Sequence, residues 1–316
     1  MSQPFVSIIV PTRNRAELLR DSLESLLVLD YPHDRYEIIV VDDGSEDETA
    51  CLVGSLGKLS GRQRVRCCRQ QSGGINRARN RGIAEAQGEV MGIVDDDEIA
   101  PAGLVREAVR LLMEDPRATA VGGWYRVRRE GQSPAFVCRQ CWESFKSIEY
   151  PGGIEQAAEV ADLPGGCLFA WRDAFRLHGV FDDALSQPGD DTEWCARVRQ
   201  QGGRLVMGRD VWVWHRALPA DFGLRGLWKK CVRSMRYCAT ARWVMGWSGS
   251  WLSDLRQGMR FLAHGLRHGC LVGLFRGIGY TALAWEWGYV QLRYARRLDR
   301  GRVEHRLRRA TRKPSG

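Results

Sequence analysis

Val90-Met91-Gly92-Ile93-Val94-Asp95-Asp96-Asp97 is the stretch that decides the fold. Residues 90–94 are short, apolar and entered through Gly88, which predicts a buried strand. Three acids follow, and an uncompensated buried charge costs several kcal/mol. Two interpretations stay open from these residues alone. One is a divalent metal site at the carboxyl edge of a sheet, where open α/β sheets bind their ligands. The other is a solvated acidic turn before a helix that begins near Pro101.

Strands and helices alternate along the chain around this stretch, which predicts an α/β fold with a parallel, doubly wound sheet. Ser45, with Glu48 three residues later, predicts a capping box at a helix start. Residues 130–162 have no clear period and predict a loop-rich region over the site. The predicted strands are 5–10, 36–41, 64–68, 90–94, 120–121, 124–127, 204–207 and 211–214, and the predicted helices are 15–29, 74–87, 101–113 and 190–200.

The net charge of +9 is unevenly distributed. Residues 221–316 hold 20 Lys and Arg against 5 Asp and Glu, whereas residues 1–220 hold 27 against 33. The basic part also carries six of the twelve tryptophans, and residues 224–238 predict a basic amphipathic helix. Three parts are therefore predicted: a globular domain over 1–220, an amphipathic helical region over 221–299, and a basic, disordered tail over 300–316.

Ten cysteines are scattered along the chain, and Met1 to Pro4 lead directly into the first predicted strand, without a signal-peptide pattern. We therefore expect reduced thiols in a cytoplasmic protein. Cys138-x-x-Cys141 has half of a zinc spacing, but the neighbouring sequence offers no second pair, so no zinc site is expected. The longest apolar candidate for a membrane span, 269–290, is interrupted by Arg276 and Glu286.

Five motifs follow one another along the chain. They are the strand and turn at 6–15, Glu37 to Ser45, Gly73 to Gly82 with Gly88-Glu89, the acids at 95–97, and Pro164 to Asp182 with Gly189 to Trp194. In this order they resemble the motifs of family 2 glycosyltransferases, which are inverting enzymes of the GT-A fold, and the acids at 95–97 resemble the family's DxD element. The resemblance covers roughly residues 5–216. It implies a Rossmann-like, mostly parallel sheet flanked by helices, followed here by the basic helical region.

The resemblance implies a nucleotide-sugar donor, that is, a UDP-, GDP- or dTDP-sugar. It places Asp43 against the base, and an acid at a helix N-terminus is the alternative for this residue. A planar guanidinium suits a phosphate, so Arg77 or Arg79 is expected there, and Arg81 is expected on a solvated helix face. The remaining donor-side residues are Pro11, Thr12, Asn14, Asp95 and Asp96, the last two for ribose hydroxyls or metal-bound water.

Asp97 is the acid expected to bind Mn²⁺ or Mg²⁺, and His215, at the end of an apolar strand, is expected beside it or in a structural role. Asp191 matches the family's catalytic base, although a helix-terminal acid is the alternative. Asp190 stands where the family often has Glu. Gly165, Gly166 and Trp194 complete the expected acceptor side, where Trp194 either stacks on a sugar or packs in the core.

The stretch after Trp194 lacks the Gln-x-x-Arg-Trp element of processive members, so transfer of one sugar is expected. Helices rich in Arg and Trp suit an anionic membrane surface, and a lipid-linked or cell-envelope glycan acceptor would explain them. We therefore expect a peripheral protein on the inner face of the cell membrane, with no nucleic-acid partner. The alternatives are helices that only pack on the core, a nucleotidyltransferase that forms nucleotide sugars, and a non-catalytic, membrane-associated sugar-nucleotide-binding protein.

Overall fold

A mixed β-sheet forms the centre of the computed structural model, which describes residues 3–59, 64–129, 132, 134–143, 157–183, 190–229 and 251–294. The strands are β1 (Val6–Thr12), β2 (Tyr36–Asp42), β3 (Arg64–Arg69), β4 (Val90–Val94), β5 (Glu98–Ile99), β6 (Ala118–Arg129), β7 (Ala157–Glu159), β8 (Cys167–Trp171) and β9 (Arg204–Ala217). Within these ranges the strand order is β3-β2-β1-β4-β8-β6-β9-β5, and β7 pairs with β9.

Half of the sheet is parallel, as the alternation of strands and helices predicted. β1 lies between β2 and β4, β2 also pairs with β3, and all three pairings are parallel. β8 then runs antiparallel to β4 and β6, so the sheet is mixed beyond β4. β1 continues through Pro11 to Thr12, although Pro11 was expected to end it. Its register with β4 stops at Ile9, so Pro11 pairs only with Val41 and this end of β1 is unpaired on the side of β4. Proline is tolerated at such a position as it is on an edge strand.

Helices cover both faces of the sheet. Alternate strand residues point to opposite faces, so Ile8 packs with α1, α2 and α4, and Ile9 packs with α3, α6 and α7. A Cβ at Gly82 of α3 would lie 2.3 Å from Ile9 Cγ2, so α3 packs directly on β1. The helices are α1 (Ala16–Leu26), α2 (Thr49–Leu59), α3 (Ile75–Glu85), α4 (Leu104–Glu114), α5 (Arg139–Glu143), α6 (Arg172–His178), α7 (Asp190–Gln200), α8 (Trp251–Arg267) and α9 (Leu271–Tyr294), with a 3-10 turn at Pro219–Phe222.

The basic C-terminal part is helical where the structure describes it. Residues 224–229 are helical, and α8 and α9 form a hairpin whose helices approach closely at glycines such as Gly265. A third apolar cluster, which includes Ala217, Phe222, Leu227 and Val272, joins this part to the end of β9. Across the described ranges, no helix is both long and apolar enough to cross a membrane. The remainder of the predicted helix 224–238 and the predicted tail 300–316 lie outside the described residues.

Candidate active site

The predicted donor-side residues meet at the carboxyl edge of the parallel strands. Thr12 ends β1, Asp43 follows β2, and Asp95 to Asp97 follow β4. Since parallel strands end at one edge of the sheet, the fold brings together side chains that are up to 85 residues apart. This edge is where the sequence predicted a ligand site.

Asp96 fixes the turn formed by Asp95 to Asp97, the acidic turn, to the rest of the protein. It is 4% exposed; its Oδ2 accepts a hydrogen bond from Thr12 Oγ1 at 2.8 Å, and its Oδ1 accepts one from Arg15 Nη1 at 2.8 Å. Burial raises the pKa of Asp96 to about 6, against the opposing charge of Arg15. Because both oxygens are engaged within the protein, the structure favours an anchoring role over the predicted contact with the donor. Sequence reasoning assigned no role to Arg15, whose only signal was its place in the first motif.

Asp97 and His215 lie side by side, as predicted. His215 Nε2 is 3.4 Å from Asp97 Oδ2, and both side chains are partly exposed. The antiparallel pairing of β5 with β9 sets Glu98 opposite His215, and Arg216 donates its backbone N–H to the Asp97 carbonyl at 3.1 Å. A carboxylate oxygen and an imidazole nitrogen at this separation fit the donor set that Mn²⁺ accepts. The His215 Nδ1 atom is buried and has no hydrogen-bond partner among the described residues.

Arg79 holds Asp95. Its guanidinium is 3.1 Å from Asp95 Oδ1 and lies 5.5 Å from the centre of the Phe181 ring, and the residue is 2% exposed. Such a buried, paired arginine positions an acid, and the expectation that Arg77 or Arg79 contacts a phosphate stays a prediction. Of the two candidate arginines, Arg77 is the exposed one. Arg81 is also exposed and pairs with Glu85 along the helix, as a solvated face predicts.

Glu98 is a fourth acid that sequence reasoning missed. It is 1% exposed, and its Oε2 accepts the Asp95 backbone N–H at 3.2 Å. Burial, and then the charges of Asp95 and Asp97, raise the pKa of Glu98 well above its ordinary range. The only signal in the sequence was that the acidic run has four members, because the two-residue strand β5 is too short to show a period.

Asp43 and Asn14 fasten the loops that surround the site. Asp43 is buried and accepts hydrogen bonds from the backbone N–H groups of Gly73, at 2.8 Å, and Gly74, at 2.9 Å. Gly74 has φ of +93°, which favours glycine, and it directly precedes α3. Asn14 Oδ1 accepts the Glu46 N–H at 2.7 Å, which joins the loops after β1 and β2. Asp43 therefore has the contacts of an acid at a helix N-terminus, which was the alternative for this residue. The helix is α3 and not α2, which follows Asp43 in the chain.

The glycine pair Gly165-Gly166 lies between Asp191 and the acidic turn. Asp191 lies in the first turn of α7, and its Oδ2 accepts the Gly165 N–H at 2.9 Å. A Cβ at Gly165 would lie 3.0 Å from the Arg79 guanidinium and 3.1 Å from Asp191 Cβ. A Cβ at Gly166 would lie 2.4 Å from Glu98 Oε1 and 2.8 Å from Asp95 Oδ2. The turn at 165–166 thus joins Asp191 to the acids after β4. The side chain of Asp190 lies outside the described residues.

Trp194 does not belong to the acceptor surface. Its indole is fully buried, stacks on Phe175 with ring centres 5.0 Å apart, and donates its Nε1–H to the Gly179 carbonyl at 2.8 Å. A ring without an exposed face cannot stack on a sugar, so this prediction was wrong and the core alternative is correct. The indole position follows from α7, whose inner side packs on the sheet.

Comparisons with known proteins identify the family of this chain. The model of Glycosyl transferase family 2 matches residues 7–178. A probable glycosyltransferase, YdaM, of Bacillus subtilis is 30% identical over 206 residues, which are 63% of this chain and 47% of that protein. The chain thus aligns with about half the length of this relative. A glucosyl-dolichyl phosphate glucuronosyltransferase of Haloferax volcanii is 26% identical over 220 residues, 67% of this chain and 69% of that one.

The fold has close counterparts among solved structures. A mannosyltransferase from Pyrobaculum calidifontis, determined in complex with GDP-Man and Mn²⁺, superimposes with a TM-score of 0.58 at 19% identity and covers 92% of this chain and 76% of that one. The likeness confirms the predicted GT-A fold. Because the family match spans more than half of the residues and includes the edge of the sheet where the acids meet, the chain belongs to glycosyl transferase family 2.

Proposed function

We propose that this protein is a metal-dependent, inverting glycosyltransferase that transfers one sugar from a nucleotide-sugar donor to an acceptor. One observation carries the proposal. The turn at 165–166 brings Asp191 to the same edge of the sheet as Asp95 to Asp97, so the proposed general base would lie beside the proposed diphosphate site. An inverting transfer requires these two parts on opposite sides of one sugar.

The donor would lie along the ends of β1, β2 and β4. We place the nucleobase of the donor beside Asp43, in a pocket shaped by Pro11, Thr12 and Asn14. The phosphates of the donor would lie beside the exposed Arg77. Asp95, held by Arg79, would accept hydrogen bonds from the ribose hydroxyls. The neighbouring structure from Pyrobaculum calidifontis contains GDP-Man, which supports a nucleotide-sugar donor without fixing the base here.

Asp97 and His215 would hold Mn²⁺ or Mg²⁺ between them. The bound ion supplies Lewis-acid chemistry, since it neutralises charge on the leaving diphosphate. Arg15 Nη1, which lies 3.7 Å from Asp97 Oδ2, adds positive charge at the same place. The buried Asp96 binds Thr12 and Arg15 and so keeps the acidic turn in position, which would hold the Asp97 carboxylate in place.

Asp191 would act as the general base. Its carboxylate takes the proton of the acceptor hydroxyl while the new bond to the anomeric carbon forms and the bond to the diphosphate breaks. The Gly165 N–H holds Asp191 Oδ2, and a base must be held within hydrogen-bond reach of the proton that it removes. Attack from the side opposite the diphosphate inverts the anomeric centre.

The test is release of free nucleoside diphosphate from UDP-, GDP- and dTDP-sugars, with and without Mn²⁺, in the presence of extracted lipid-linked and glycan acceptors. We expect release from one donor class and dependence on the ion. Asp191→Asn should lower turnover by at least about a hundredfold and leave donor binding within about twofold of the unchanged protein, as measured by calorimetry. Full activity of Asp191→Asn would refute the assignment of the base.

The matched control is Asp173→Asn, which changes an exposed acid on α6, away from the site. It should leave turnover unchanged. A nucleotidyltransferase would instead release pyrophosphate from a nucleoside triphosphate and a sugar phosphate. A non-catalytic binding protein would bind the donor and release nothing from any member of the panel.

The acceptor side is proposed to meet an anionic membrane surface, at the inner face of the cell membrane. Leu252, Met259 and Leu266 recur every seven residues on α8 and are 45%, 56% and 75% exposed. The exposed Arg256 and Arg260 flank this stripe, a pattern typical of helices that lie in a lipid interface. The name of the Haloferax relative contains a glucosyl-dolichyl phosphate, which supports a lipid-linked acceptor here.

A further inference from the structure

Four side chains that carry soft or nitrogen ligands converge at a place that shares no residue with the proposed donor and acceptor site. The Sγ atoms of Cys138, Cys141 and Cys270 and a ring nitrogen of His264 all lie within 4.8 Å of one another. His264 Nε2 is 3.2 Å from Cys138 Sγ and 3.7 Å from Cys141 Sγ. The neighbouring sequence offers the Cys138-x-x-Cys141 pair no second pair, but the fold brings one from a distant segment, which reopens the zinc site that the sequence did not predict.

The partners come from the other end of the chain. Cys138 directly precedes α5 and Cys141 lies within it, whereas His264 lies in the last turn of α8 and Cys270 directly precedes α9. More than 120 residues separate the two pairs. No scan of neighbouring sequence finds such a site, because His264-x₅-Cys270 has no distinctive spacing of its own and only the hairpin fold brings it to the first pair.

We propose that these four residues form a structural zinc site. Tetrahedral zinc with Zn–S bonds of about 2.3 Å places neighbouring ligand atoms about 3.5–3.8 Å apart. Two of the distances in the cluster are 3.2 and 3.7 Å and none exceeds 4.8 Å, so rotations of the side chains would bring the four atoms to tetrahedral spacing. Three thiolates and one imidazole form a Cys₃His set, which is typical of closed structural zinc sites. The soft sulfur ligands select against Mg²⁺ and Mn²⁺, which prefer oxygen.

The surroundings supply what such a site needs. Cys141 and Cys270 are buried, and the Cys138 backbone N–H donates to Cys270 Sγ at 3.3 Å. Hydrogen bonds of this kind orient a ligating sulfur and stabilise its negative charge. The Leu271 N–H also donates to the Phe136 carbonyl at 2.8 Å, so the backbones of the two segments are already in register beside the cluster.

The site would fasten the α8–α9 hairpin to the catalytic domain. Cys141 and Cys270 belong to the same apolar cluster as Ala217, the last residue of β9. Ala217 lies two residues after His215, so the cluster ends next to the strand that carries a proposed metal ligand. A closed four-ligand set has no open coordination position for a substrate. Its effect is therefore on the stability and placement of the hairpin.

The first test measures metal in the full-length chain, purified with a reducing agent and without chelators or added metal. Mass spectrometry of the metal content should give about one zinc per chain. Cys138→Ser/Cys141→Ser should lose most of it, and the thermal midpoint should fall. Cys51→Ser, an exposed cysteine outside the cluster, and His268→Ala, a neighbour of His264, should both retain it. Equal zinc in the double variant and the unchanged protein would overturn the proposal.

A second measurement holds even if the double variant does not fold. The unchanged protein, stripped with a thiol-reactive mercurial, reduced again and loaded with Co²⁺, should show a sulfur-to-cobalt charge-transfer band and the intense visible bands of tetrahedral cobalt. The oxygen- and nitrogen-rich site at Asp97 gives no sulfur band, so the two metal sites are distinguished. Absence of that band, or a disulfide between Cys138 and Cys141 in the reduced, chelator-free protein, would overturn the assignment.

Discussion

At the scale of single residues, the candidate active site depends on two positions that have no side chain. Gly165 and Gly166 bring a backbone turn between Asp191 on one side and Arg79 and Asp95 on the other. A Cβ at Gly166 would come closer to two carboxylate groups than real contacts allow. The geometry of the acids therefore depends on glycine at this turn, as much as on the acids themselves.

Gly166→Ala should impair turnover more than stability. The added methyl group must displace Glu98 and Asp95, which moves the acidic turn by a few tenths of an ångström or more. We expect kcat/KM to fall at least tenfold, which is about 1.4 kcal/mol of transition-state stabilisation, and donor affinity to weaken. Nucleoside diphosphate release and calorimetric donor binding measure the two effects.

Gly54→Ala is the matched control for that variant. Gly54 is an exposed position in α2 whose added Cβ would meet nothing within 4 Å. It should leave activity unchanged and stabilise the protein by about 0.5–1 kcal/mol, because alanine is the better helix former. Equal activity of Gly166→Ala and Gly54→Ala would show that the turn at 165–166 tolerates a side chain and that the crowding argument is wrong.

Whether the sequence could predict a site residue depends on how the fold positions that residue. Asp97 and Asp191 lie in motifs with recognisable spacing, and the structure brings their motifs to one edge. Glu98 and Arg15 reach the site through a two-residue strand and a loop, which leave no periodic pattern. Trp194 was ambiguous because a helix face alone does not say which side meets the sheet. The catalytic roles of Asp97 and Asp191 stay predictions.

At the scale of elements, the start of α2 shows how a plausible cap can be displaced. The spacing of Ser45 and Glu48 predicted a capping box, but α2 begins at Thr49 and Ser45 Oγ accepts the Asn14 N–H at 2.9 Å. Asp47 does the capping instead. Its Oδ1 accepts the Thr49 N–H at 3.1 Å, and its Oδ2 accepts the Ala16 N–H at 3.0 Å. The loop after β1 competes for the serine, and tertiary contact overrides the local motif.

Asp47→Ala should lower the free energy of unfolding by about 1–2 kcal/mol, because it removes a helix cap and the link to the first turn of α1. Chemical denaturation of the full-length chain measures the change. Glu46→Ala alters the neighbouring exposed acid and keeps the backbone N–H that bonds Asn14, so it should change stability by less than about 0.5 kcal/mol. If the two variants were equally stable, Asp47 would have no capping role.

Element boundaries were predictable for two elements that are buried over most of their length. β4 and α7 begin and end as predicted, at 90–94 and 190–200. The long strands β6 and β9 were each predicted as two pieces. Gly122-Gly123 and the exposed Arg209-Asp210 interrupt the apolar pattern there, and the register between β6 and β9 shifts between Gly122 and Trp124. An irregular pairing keeps a strand continuous in space while breaking its pattern in sequence.

At the scale of the whole molecule, charge is distributed unevenly along the chain. Residues 221–316 carry a balance of +15 and the rest of the chain −6. The α8 stripe of Leu252, Met259 and Leu266 lies in the basic part. In the proposed membrane contact, an anionic surface would attract this part and the exposed apolar side chains would then insert. In that contact, charge would govern how the protein approaches the membrane surface, and buried apolar area would govern how tightly α8 stays bound.

The triple variant Leu252→Ser/Met259→Ser/Leu266→Ser should therefore bind vesicles of anionic lipid at least tenfold less tightly than the unchanged protein, a loss of about 1.4 kcal/mol. Burying each aliphatic side chain fully is worth about 1.5–3 kcal/mol, so partial insertion of three suffices. Flotation of the full-length chain with anionic and with neutral vesicles measures it. Leu177→Ser, which alters a 74% exposed leucine on α6, is the control and should bind as before.

Salt separates the two contributions to this binding. Between ~0.01 M and ~0.15 M salt the Debye length shrinks from about 30 Å to about 8 Å, so attraction of the basic helices to the anionic surface should weaken in both proteins. The apolar contribution does not depend on that screening, so the ratio between triple variant and unchanged protein should stay constant as salt rises. Binding that is equal in the two proteins at every salt concentration would mean that the α8 stripe faces something other than lipid.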